Sequence, residues 1–454
     1  MRSDKARRAL VAMAALALLA TSCGDDGDAT TDPGPTTTTA PVDDQPDDTT
    51  TTSEPEEEIV LTASYRGVTE TSIKIGVLLF DLDAILDLGV DVGYGDQTQH
   101  FQVVIDEINS EGGILGRQIE PVFRLVSPVD AEAADTACAE LVEDEGVFLV
   151  VGTARPPANV LCYTESGDTP FVGAPSGDLT DEVFERSEAP FIFPGRRPSR
   201  TDGAILAALQ LDDAIEGAII AVHGADADRV ESLATSIEEL GAAQVIRTVE
   251  LANEADQVAL ATELDRFIER YKTDAVDGMV NLGDNVAVLA AFNRASFAVP
   301  VWTTSPDVLA QFIYDQGATN DELRLVRLIL NETSSELYNA GHGPTVECVD
   351  RWNGLRPDEP AVPNAGEDDL SNIGVIVIAC LEMDIVKRAT TAAGVDLTVE
   401  SFTSGLDSIG TFESAGTRTA SLSSTKWDAG DAAKLFRWSE EEGEIVAAED
   451  LALG

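Results

Sequence analysis

"VVIDEINSEGGILGRQIEPV", residues 103–122, is the stretch that decides the fold of this chain. Four apolar residues repeat here at helical spacing: Phe101, Val104, Ile105 and Ile108. This spacing predicts the second half of an amphipathic helix, which ends at Gly112–Gly113 because glycine takes the left-handed conformation without steric cost. A turn at Gly116–Arg117 leads into a buried strand, and residues 72–80 upstream, SIKIGVLLF, are apolar as in a covered parallel strand. Strand, helix, turn and strand together predict a βαβ unit.

The chain downstream keeps alternating between apolar runs and helical periodicity. Further strands are expected at 146–151, 170–173, 191–193, 218–222, 245–251, 275–281 and 299–303. Helices are expected at 131–144, 201–213, 229–240, 256–271, 285–297, 345–352 and 372–393. The two series meet near residues 194–200, and the tail around 435–448 has the pattern of a hairpin. The expected fold is therefore α/β, with two doubly wound lobes.

Charge excludes several classes of partner. The 454 residues carry a formal net charge of -53, with 82 Asp and Glu against 29 Lys and Arg. Such a chain repels phosphates, which excludes nucleic acid as a partner, and it cannot dock on anionic lipid by charge. Most of these carboxylates are expected on a solvated surface.

The N-terminal segment has the organisation of an export signal. A basic start is followed by an apolar run at 9–20, which is too short to span the hydrocarbon core of a bilayer as a helix, and small residues then precede Cys23. Residues 24–58 are rich in Thr, Pro and acidic residues and contain no Lys or Arg. This composition cannot bury apolar surface, so the segment is expected to be a disordered spacer.

Residues 108–117, INSEGGILGR, resemble the INxxGGxxGR signature of the type I periplasmic solute-binding proteins, specifically the leucine/isoleucine/valine-binding family. The resemblance continues loosely to about residue 447 and implies two lobes joined by a three-strand hinge. The expected organisation is a signal peptide at 1–23, a linker at 24–70, a first lobe at 71–195 and 323–408, and a second lobe at 196–322 and 409–454.

The region around Cys23 resembles a bacterial lipoprotein signal, although Ala20 stands where leucine is commoner. The resemblance implies cleavage before Cys23, lipidation of its sulfur, and a lipid-anchored protein on the extracytoplasmic face of the cell membrane. An ordinary signal peptide cut nearby is the alternative.

Four further cysteines remain: Cys138, Cys162, Cys348 and Cys380. In an exported chain an even number without a CxxC pair favours two disulfides over buried free thiols. Three pairings are open, and pairing nearest in sequence joins Cys138 to Cys162 and Cys348 to Cys380. The first pair also resembles the early disulfide of the solute-binding family.

The sequence contains none of the common catalytic motifs. Residues 173–177, GAPSG, have the wrong spacing for a nucleophile elbow, and there is no P-loop or HExxH. Three scattered histidines predict no zinc site. We therefore expect no enzyme activity, no cofactor and no metal.

A ligand is expected in the cleft between the lobes, because open α/β sheets bind ligands at the carboxyl ends of their strands. The candidate residues are Arg155, Ala174, Ser176 and Gly177 in the first lobe, and Asp226, Asp284, Asn285 and Thr304 in the second. Arg155 could hold a carboxylate through two parallel hydrogen bonds, and Asp226 and Asp284 could oppose an amine. Solvated loop charges are the alternative for each.

The family's amino-acid binders hold the α-carboxylate with first-lobe hydroxyls and backbone amides, and they place aromatic residues and an acid in the second lobe. Ser176 matches a first-lobe position approximately, whereas residues 154–157, ARPP, replace an expected serine. The expected second-lobe tyrosines are absent from residues 223–228 and 282–285. These departures argue against a standard branched-chain amino acid as the ligand.

The function that this predicts is that of a monomeric solute-binding lipoprotein of an ABC importer. It would capture an amino acid or a related small carboxylate or amide by closing its cleft and would then dock on a permease. A ligand sensor for a membrane signalling partner is the first alternative, and an extracytoplasmic hydrolase is the second.

Overall fold

The computed structural model describes residues 60–82, 94–127, 130–175, 179–252, 257–304, 320–361 and 372–451. The predicted signal peptide, its lipidation candidate Cys23 and the linker up to residue 59 lie outside these ranges. Within the ranges, no helix combines the length and the apolarity needed to cross a membrane.

The first lobe is built on a parallel five-stranded sheet with the order β2-β1-β3-β4-β5. Its strands are β1 (Ser72–Phe80), β2 (Gln118–Val126), β3 (Leu149–Gly152), β4 (Phe171–Val172) and β5 (Phe191–Ile192). The helix Gln97–Ser110 lies between β1 and β2 in sequence, and the two strands pair in parallel from Ser72↔Gln118 to Phe80↔Val126. The predicted βαβ unit is therefore confirmed.

The turn between the helix and β2 depends on one glycine and one arginine. Gly113 has a φ of +76°, and a Cβ atom there would lie 1.9 Å from the carbonyl oxygen of Arg117, so only glycine fits. The Arg117 side chain is fully buried and donates hydrogen bonds to the carbonyl oxygens of Thr69 (2.7 Å), Thr62 (3.0 Å) and Val395 (2.9 Å). It ties the turn to the segment that begins the lobe and to the loop that follows the helix Ile373–Ala393.

The second lobe is built on a seven-stranded sheet with the order β14-β13-β10-β9-β8-β6-β7. Its strands are β6 (Ile219–Gly224), β7 (Gln244–Val249), β8 (Gly278–Asn281), β9 (Val301–Thr303), β10 (Val326–Leu330), β13 (Ala433–Ser439) and β14 (Glu444–Leu451). The first five are parallel, and β13 and β14 add antiparallel at one edge. The predicted C-terminal hairpin in the second lobe is confirmed.

Helices cover both faces of each sheet. They are α1 (Gln97–Ser110), α2 (Ala131–Ala139), α3 (Asp181–Arg186), α4 (Pro198–Leu211), α5 (Ala227–Glu239), α6 (Gln257–Asp274), α7 (Asn285–Ala295), α8 (Asn320–Leu323), α9 (Ser334–Asn339), α10 (Gly343–Leu355), α11 (Ile373–Ala393) and α12 (Val399–Gly405). Neighbouring strand residues enter different cores: Val77 and Leu78 point to opposite faces of the first sheet, and Ala221 and Val222 to opposite faces of the second. Both sheets are thus doubly wound.

Three predicted boundaries were wrong. Strand β10 pairs with β9 and β13 in the second sheet, although residues 323–408 were assigned to the first lobe. The hairpin of β11 (Gly410–Ser414) and β12 (Thr417–Leu422) buries Phe412, Ala420 and Leu422 in the first-lobe core, although residues after 408 were assigned to the second. Val68 is buried in the same core, inside the predicted linker. An apolar run or a short hairpin does not itself reveal which sheet it joins.

Both disulfides form between cysteines nearest in sequence. Cys138 bonds to Cys162, and Cys348 on α10 bonds to Cys380 on α11. The expected pairing is confirmed, and each bond closes a loop within the first lobe.

One buried histidine contributes a pH-dependent term to stability. His100 on α1 is 2% exposed and packs edge-on against Trp352 at 4.6 Å between ring centroids. Neither ring nitrogen has a hydrogen-bond partner among the described residues. Burial, which penalises the charged ring, lowers the pKa of His100 from 6.5 to about 4. The unfolded chain therefore takes up a proton before the folded one as the pH falls.

We expect His100→Phe to flatten the acid side of the stability profile. Neutral His100 contributes its full share to the free energy of unfolding above pH 6.5. This contribution falls by about 3 kcal/mol as the pH falls towards 4. Phenylalanine keeps a ring against Trp352 but cannot be protonated. Urea unfolding of both proteins at pH 7 and pH 4 measures the difference, in which the shared titration of carboxylates cancels. Equal losses in the two proteins would contradict a neutral buried His100.

Candidate functional site: the cleft between the lobes

Within the residues that the structure describes, the chain crosses between the lobes three times. Residues 193–197 lead from β5 to α4, residues 331–333 lead from β10 to α9, and residues 423–432 lead from β12 to β13. The first crossover leaves the carboxyl end of a first-lobe strand, and the second leaves the carboxyl end of a second-lobe strand. Both sheets therefore turn their carboxyl ends towards the hinge, as ligand binding in open α/β sheets requires.

Backbone hydrogen bonds join the first and third crossovers. The Phe193 N–H donates to the carbonyl of Trp427 (2.8 Å), and the Ala429 N–H donates to the carbonyl of Phe193 (2.8 Å). The Gly430 N–H donates to the carbonyl of Gly195, also at 2.8 Å. The two segments pair as a short parallel bridge at the base of the cleft.

Arg196 lies on the first crossover and contacts the other two. Its guanidinium donates to the side-chain oxygen of Asn331 (2.5 Å) on the second crossover and to the carbonyl of Ala432 on the third. Desolvation by burial, with the neighbouring Arg200 cation, lowers the pKa of Arg196 to about 10, so the side chain stays charged at neutral pH.

Ion pairs surround this arginine. Asp428 is buried and accepts hydrogen bonds from the Arg197 N–H (3.1 Å) and from the Arg200 guanidinium (2.5 Å). Arg200 also pairs with Asp431 (2.7 Å), which Lys426 approaches at 3.2 Å. The base of the cleft is therefore a network of charge-assisted hydrogen bonds between α4 and the third crossover.

The first-lobe candidates lie on neighbouring strand ends. Arg155 follows β3 and is exposed, and Ala174 follows β4 and is half-buried. Two glycines that sequence reasoning missed bring these ends together. A Cβ on Gly152 would lie 2.1 Å from the carbonyl oxygen of Leu78, and a Cβ on Gly173 would lie 1.8 Å from that of Gly152. Ser176 and Gly177 lie outside the described residues.

The second-lobe acids both begin helices. Asp226 accepts hydrogen bonds from the N–H groups of Asp228 (3.0 Å) and Arg229 (3.1 Å) and caps α5. Asp284 accepts from the Ala287 N–H (3.0 Å) and caps α7. Capping satisfies free N–H groups of the first helical turn, so each acid has a structural role beside the predicted ligand contact.

Amide and hydroxyl groups form a buried network at the ends of β8 and β9. The side chain of Asn281 donates to that of Asn285 (2.7 Å), which donates to the Thr303 hydroxyl (3.0 Å). All three residues are buried, and the candidate Thr304 follows, half-buried. Asn281 was missed by sequence reasoning, because it is the last residue of an otherwise apolar strand.

His223, at the end of β6, belongs to a separate buried network. Its ring nitrogens lie 3.1 Å from the Thr248 hydroxyl and 2.8 Å from the Glu250 carboxylate. These partners account for both ring nitrogens, which gives His223 a structural role. Within the described ranges, no three His, Cys, Asp or Glu side chains are grouped so as to hold a metal ion.

Known proteins were compared with the chain by sequence and by structure. No protein-family model and no curated protein matches the sequence. Solved structures do match the fold. A fatty acid ABC transporter substrate-binding protein from Thermomonospora curvata is 16% identical with a TM-score of 0.57, over 87% of this chain and 95% of that one.

Two further matches are also named as binding proteins for small molecules. The leucine-binding protein LivK from Thermotoga maritima is 13% identical with a TM-score of 0.57, over 84% of this chain and 99% of that one. The third match is a solute-binding protein of an ABC transporter from Rhodopseudomonas palustris HaA2 in complex with p-hydroxybenzoic acid. It is 14% identical with a TM-score of 0.56, over 84% of this chain and 97% of that one. With its two parallel-sheet lobes, the chain has the α/β fold of the type I periplasmic binding proteins of ABC transporters.

Proposed function

We propose that the chain is an extracytoplasmic solute-binding protein of an ABC importer. The observation that carries this proposal is the geometry of the hinge: two parallel sheets turn their carboxyl ends towards three crossovers that are bonded to one another. A ligand that contacts both lobes stabilises the closed state, and the protein can thereby report occupancy to a permease. The structural neighbours are solute-binding proteins rather than enzymes, which agrees with a role in capture.

The ligand that we propose is an amino acid or a related small carboxylate or amide. Arg155 would hold the carboxylate from the first lobe, beside Ala174 and the Ser176–Gly177 segment. Asn285 and Thr304 would supply polar contacts from the second lobe. Asp226 and Asp284 would attract an amine, because a carboxylate can accept further hydrogen bonds beside those of a helix cap. Neighbours named for leucine, fatty acid and p-hydroxybenzoic acid share carboxylate chemistry, which supports this class.

We also propose that lipid on Cys23 anchors the protein outside the cell membrane, with the acidic linker as a spacer, and that it acts as a monomer. A ligand sensor for a membrane signalling partner is the alternative, since the same closure could be read by another protein. Neighbouring genes discriminate the two: permease and ATPase genes favour import, whereas a kinase gene favours sensing.

A thermal-shift screen tests the proposal. Amino acids, aromatic and aliphatic carboxylates, dicarboxylates, polyamines and amides are added to the purified protein, because a ligand of the native state raises the melting temperature by mass action. We expect a carboxylate to raise it and to reduce the radius of gyration in solution scattering. Stabilisation without compaction would argue against closure.

Arg155→Ala should weaken the binding of that carboxylate by about tenfold or more, because a charge-assisted pair is lost. Arg266→Ala is the matched control, since Arg266 is exposed on α6, away from the strand ends. Titration calorimetry measures both affinities. Equal affinity in the Arg155 variant and the wild type would remove Arg155 from the site.

Arg196→Met tests the hinge. The substitution keeps the aliphatic stem but leaves the Asn331 oxygen and the Ala432 carbonyl without their donor, and we expect a loss of about 2–4 kcal/mol in stability. The matched control is Arg247→Met, which removes ion pairs with Glu231 and Glu238 on the second-lobe surface and should cost much less. Urea unfolding compares the two, and losses of similar size would show that Arg196 is an ordinary surface cation.

A further inference from the structure

A buried histidine and a buried carboxylate adjoin the second-lobe loops that carry candidate ligand residues. His223 lies at the carboxyl end of β6, and Glu250 directly follows β7. The His223 ring nitrogen Nε2 lies 2.8 Å from the Glu250 oxygen Oε1, and the two side chains are 0% and 1% exposed. The second carboxylate oxygen, Oε2, has no hydrogen-bond partner among the described residues.

The Glu250 carboxylate lies directly against the loop after β8. A Cβ atom on Gly283 would lie 2.4 Å from Oε1 of Glu250 and 3.3 Å from its Cδ atom. Gly283 does not have a positive φ, so the backbone conformation itself does not demand glycine. The Glu250 carboxylate is therefore what leaves no room for a side chain at this position.

His223 contacts the same loop through its backbone. The Leu282 N–H donates to the carbonyl of His223 at 2.8 Å, and the Glu250 N–H donates to the carbonyl of Gly224 at 3.0 Å. A Cβ atom on Gly224 would lie 2.9 Å from the Cβ atom of Leu282, so these backbones are in close contact. The ends of β6, β7 and β8 are thus joined at one place.

Burying this carboxylate costs stability, because a polar atom without a donor loses its hydration and gains nothing in exchange. An apolar residue after β7 would avoid the cost, so the carboxylate requires an explanation. Its contacts supply one. The other ring nitrogen of His223, Nδ1, lies 3.1 Å from the Thr248 hydroxyl, which fixes the ring. The fixed ring holds the Glu250 carboxylate against Gly283.

We propose that Glu250 and His223 are positioning residues for ligand binding, which fix the loop after β8 as part of the second-lobe wall of the cleft. The inference rests on the proposed function, because this loop leads to the candidates Asp284 and Asn285. Asp284 caps α7 and Asn285 bonds to the end of β8, so a shift of Gly283 would move both. A wall that is ordered before a ligand arrives raises affinity, since binding then need not order it.

A double-mutant cycle tests the contact without a ligand. Gly283→Ala should lower the melting temperature of the otherwise unchanged protein by about 3–8 °C, because the added methyl group displaces the Glu250 carboxylate. In the Glu250→Ala background the methyl group enters the space that the carboxylate leaves, so the loss should fall to about half or less. Equal losses in both backgrounds would overturn the proposal, because Gly283 would then not rest on Glu250.

Two controls separate this contact from general damage. Gly203→Ala adds a methyl group on α4, where nothing outside the helix's own backbone lies within 4 Å, and should not lower the melting temperature. Glu263→Ala removes another buried second-lobe carboxylate, which accepts from the N–H groups of Leu251 and Ala252. In that background Gly283→Ala should keep its full cost. A cost that fell there as well would contradict a specific contact with Glu250.

Binding completes the test. Leucine, p-hydroxybenzoate and any compound that stabilises the wild type are titrated by calorimetry into the wild type and two Glu250 variants. Glu250→Ala should bind an active compound about tenfold more weakly. Glu250→Gln keeps an acceptor for the His223 ring and should bind the compound like the wild type.

Unchanged affinity in Glu250→Ala would overturn the positioning role, even if the cycle showed coupling. If no compound bound the wild type, the proposed function would lose support, while the cycle would still decide whether Glu250 fixes the loop.

Discussion

The structure depends on the contact that Arg196 makes between three crossovers. One guanidinium on the first crossover reaches Asn331 on the second and Ala432 on the third. Both hydrogen bonds come from Nη1, so the two N–H groups of one guanidinium nitrogen join two separate segments. The surrounding pairs of Asp428 and Asp431 with Arg200 join α4 to the third crossover. Each lobe has its own core, and this contact holds the two cores together.

The overall charge makes this contact more important. Acidic residues outnumber basic ones by 82 to 29, so both lobes carry negative surfaces that repel each other across the cleft. Several of the few cations are concentrated at the hinge, where they pair with buried or half-buried carboxylates. Repulsion between like charges opposes the approach of the two lobes, whereas the ion pairs at the hinge are attractive. In the proposed function, a ligand that contacts both lobes would supply the free energy of closure.

Local patterns in the sequence predicted the elements well. The residues INSEGGILGR predicted a helix, a glycine turn and a strand. The structure explains why this pattern works: Gly113 has no room for a Cβ atom, and the Arg117 side chain is buried. Lobe membership could not be predicted in the same way. Strand β10 is apolar in either lobe, and only its pairing with β9 and β13 decides between them. Pairing depends on residues distant in sequence, which no local pattern contains.

The candidate site residues remain predictions, and the structure adds a structural role for two of them. Strand ends led to Asn285 and Thr304, but Asp226 and Asp284 cap helices, a role that an acid before a helical run already indicates.

The contacts around the cleft also decide where motion can occur. Gly152 and Gly173 hold the first-lobe strand ends so close that their backbones touch, and the helix caps hold the loops of the second lobe. Loops fixed in this way cannot rearrange without losing hydrogen bonds or creating clashes. The three crossovers are bonded to one another by backbone hydrogen bonds and by Arg196, so we expect one lobe to turn against the other about them. Closure is therefore expected to be a rigid-body movement of two preformed walls about the hinge, in which the ligand meets surfaces that are already ordered.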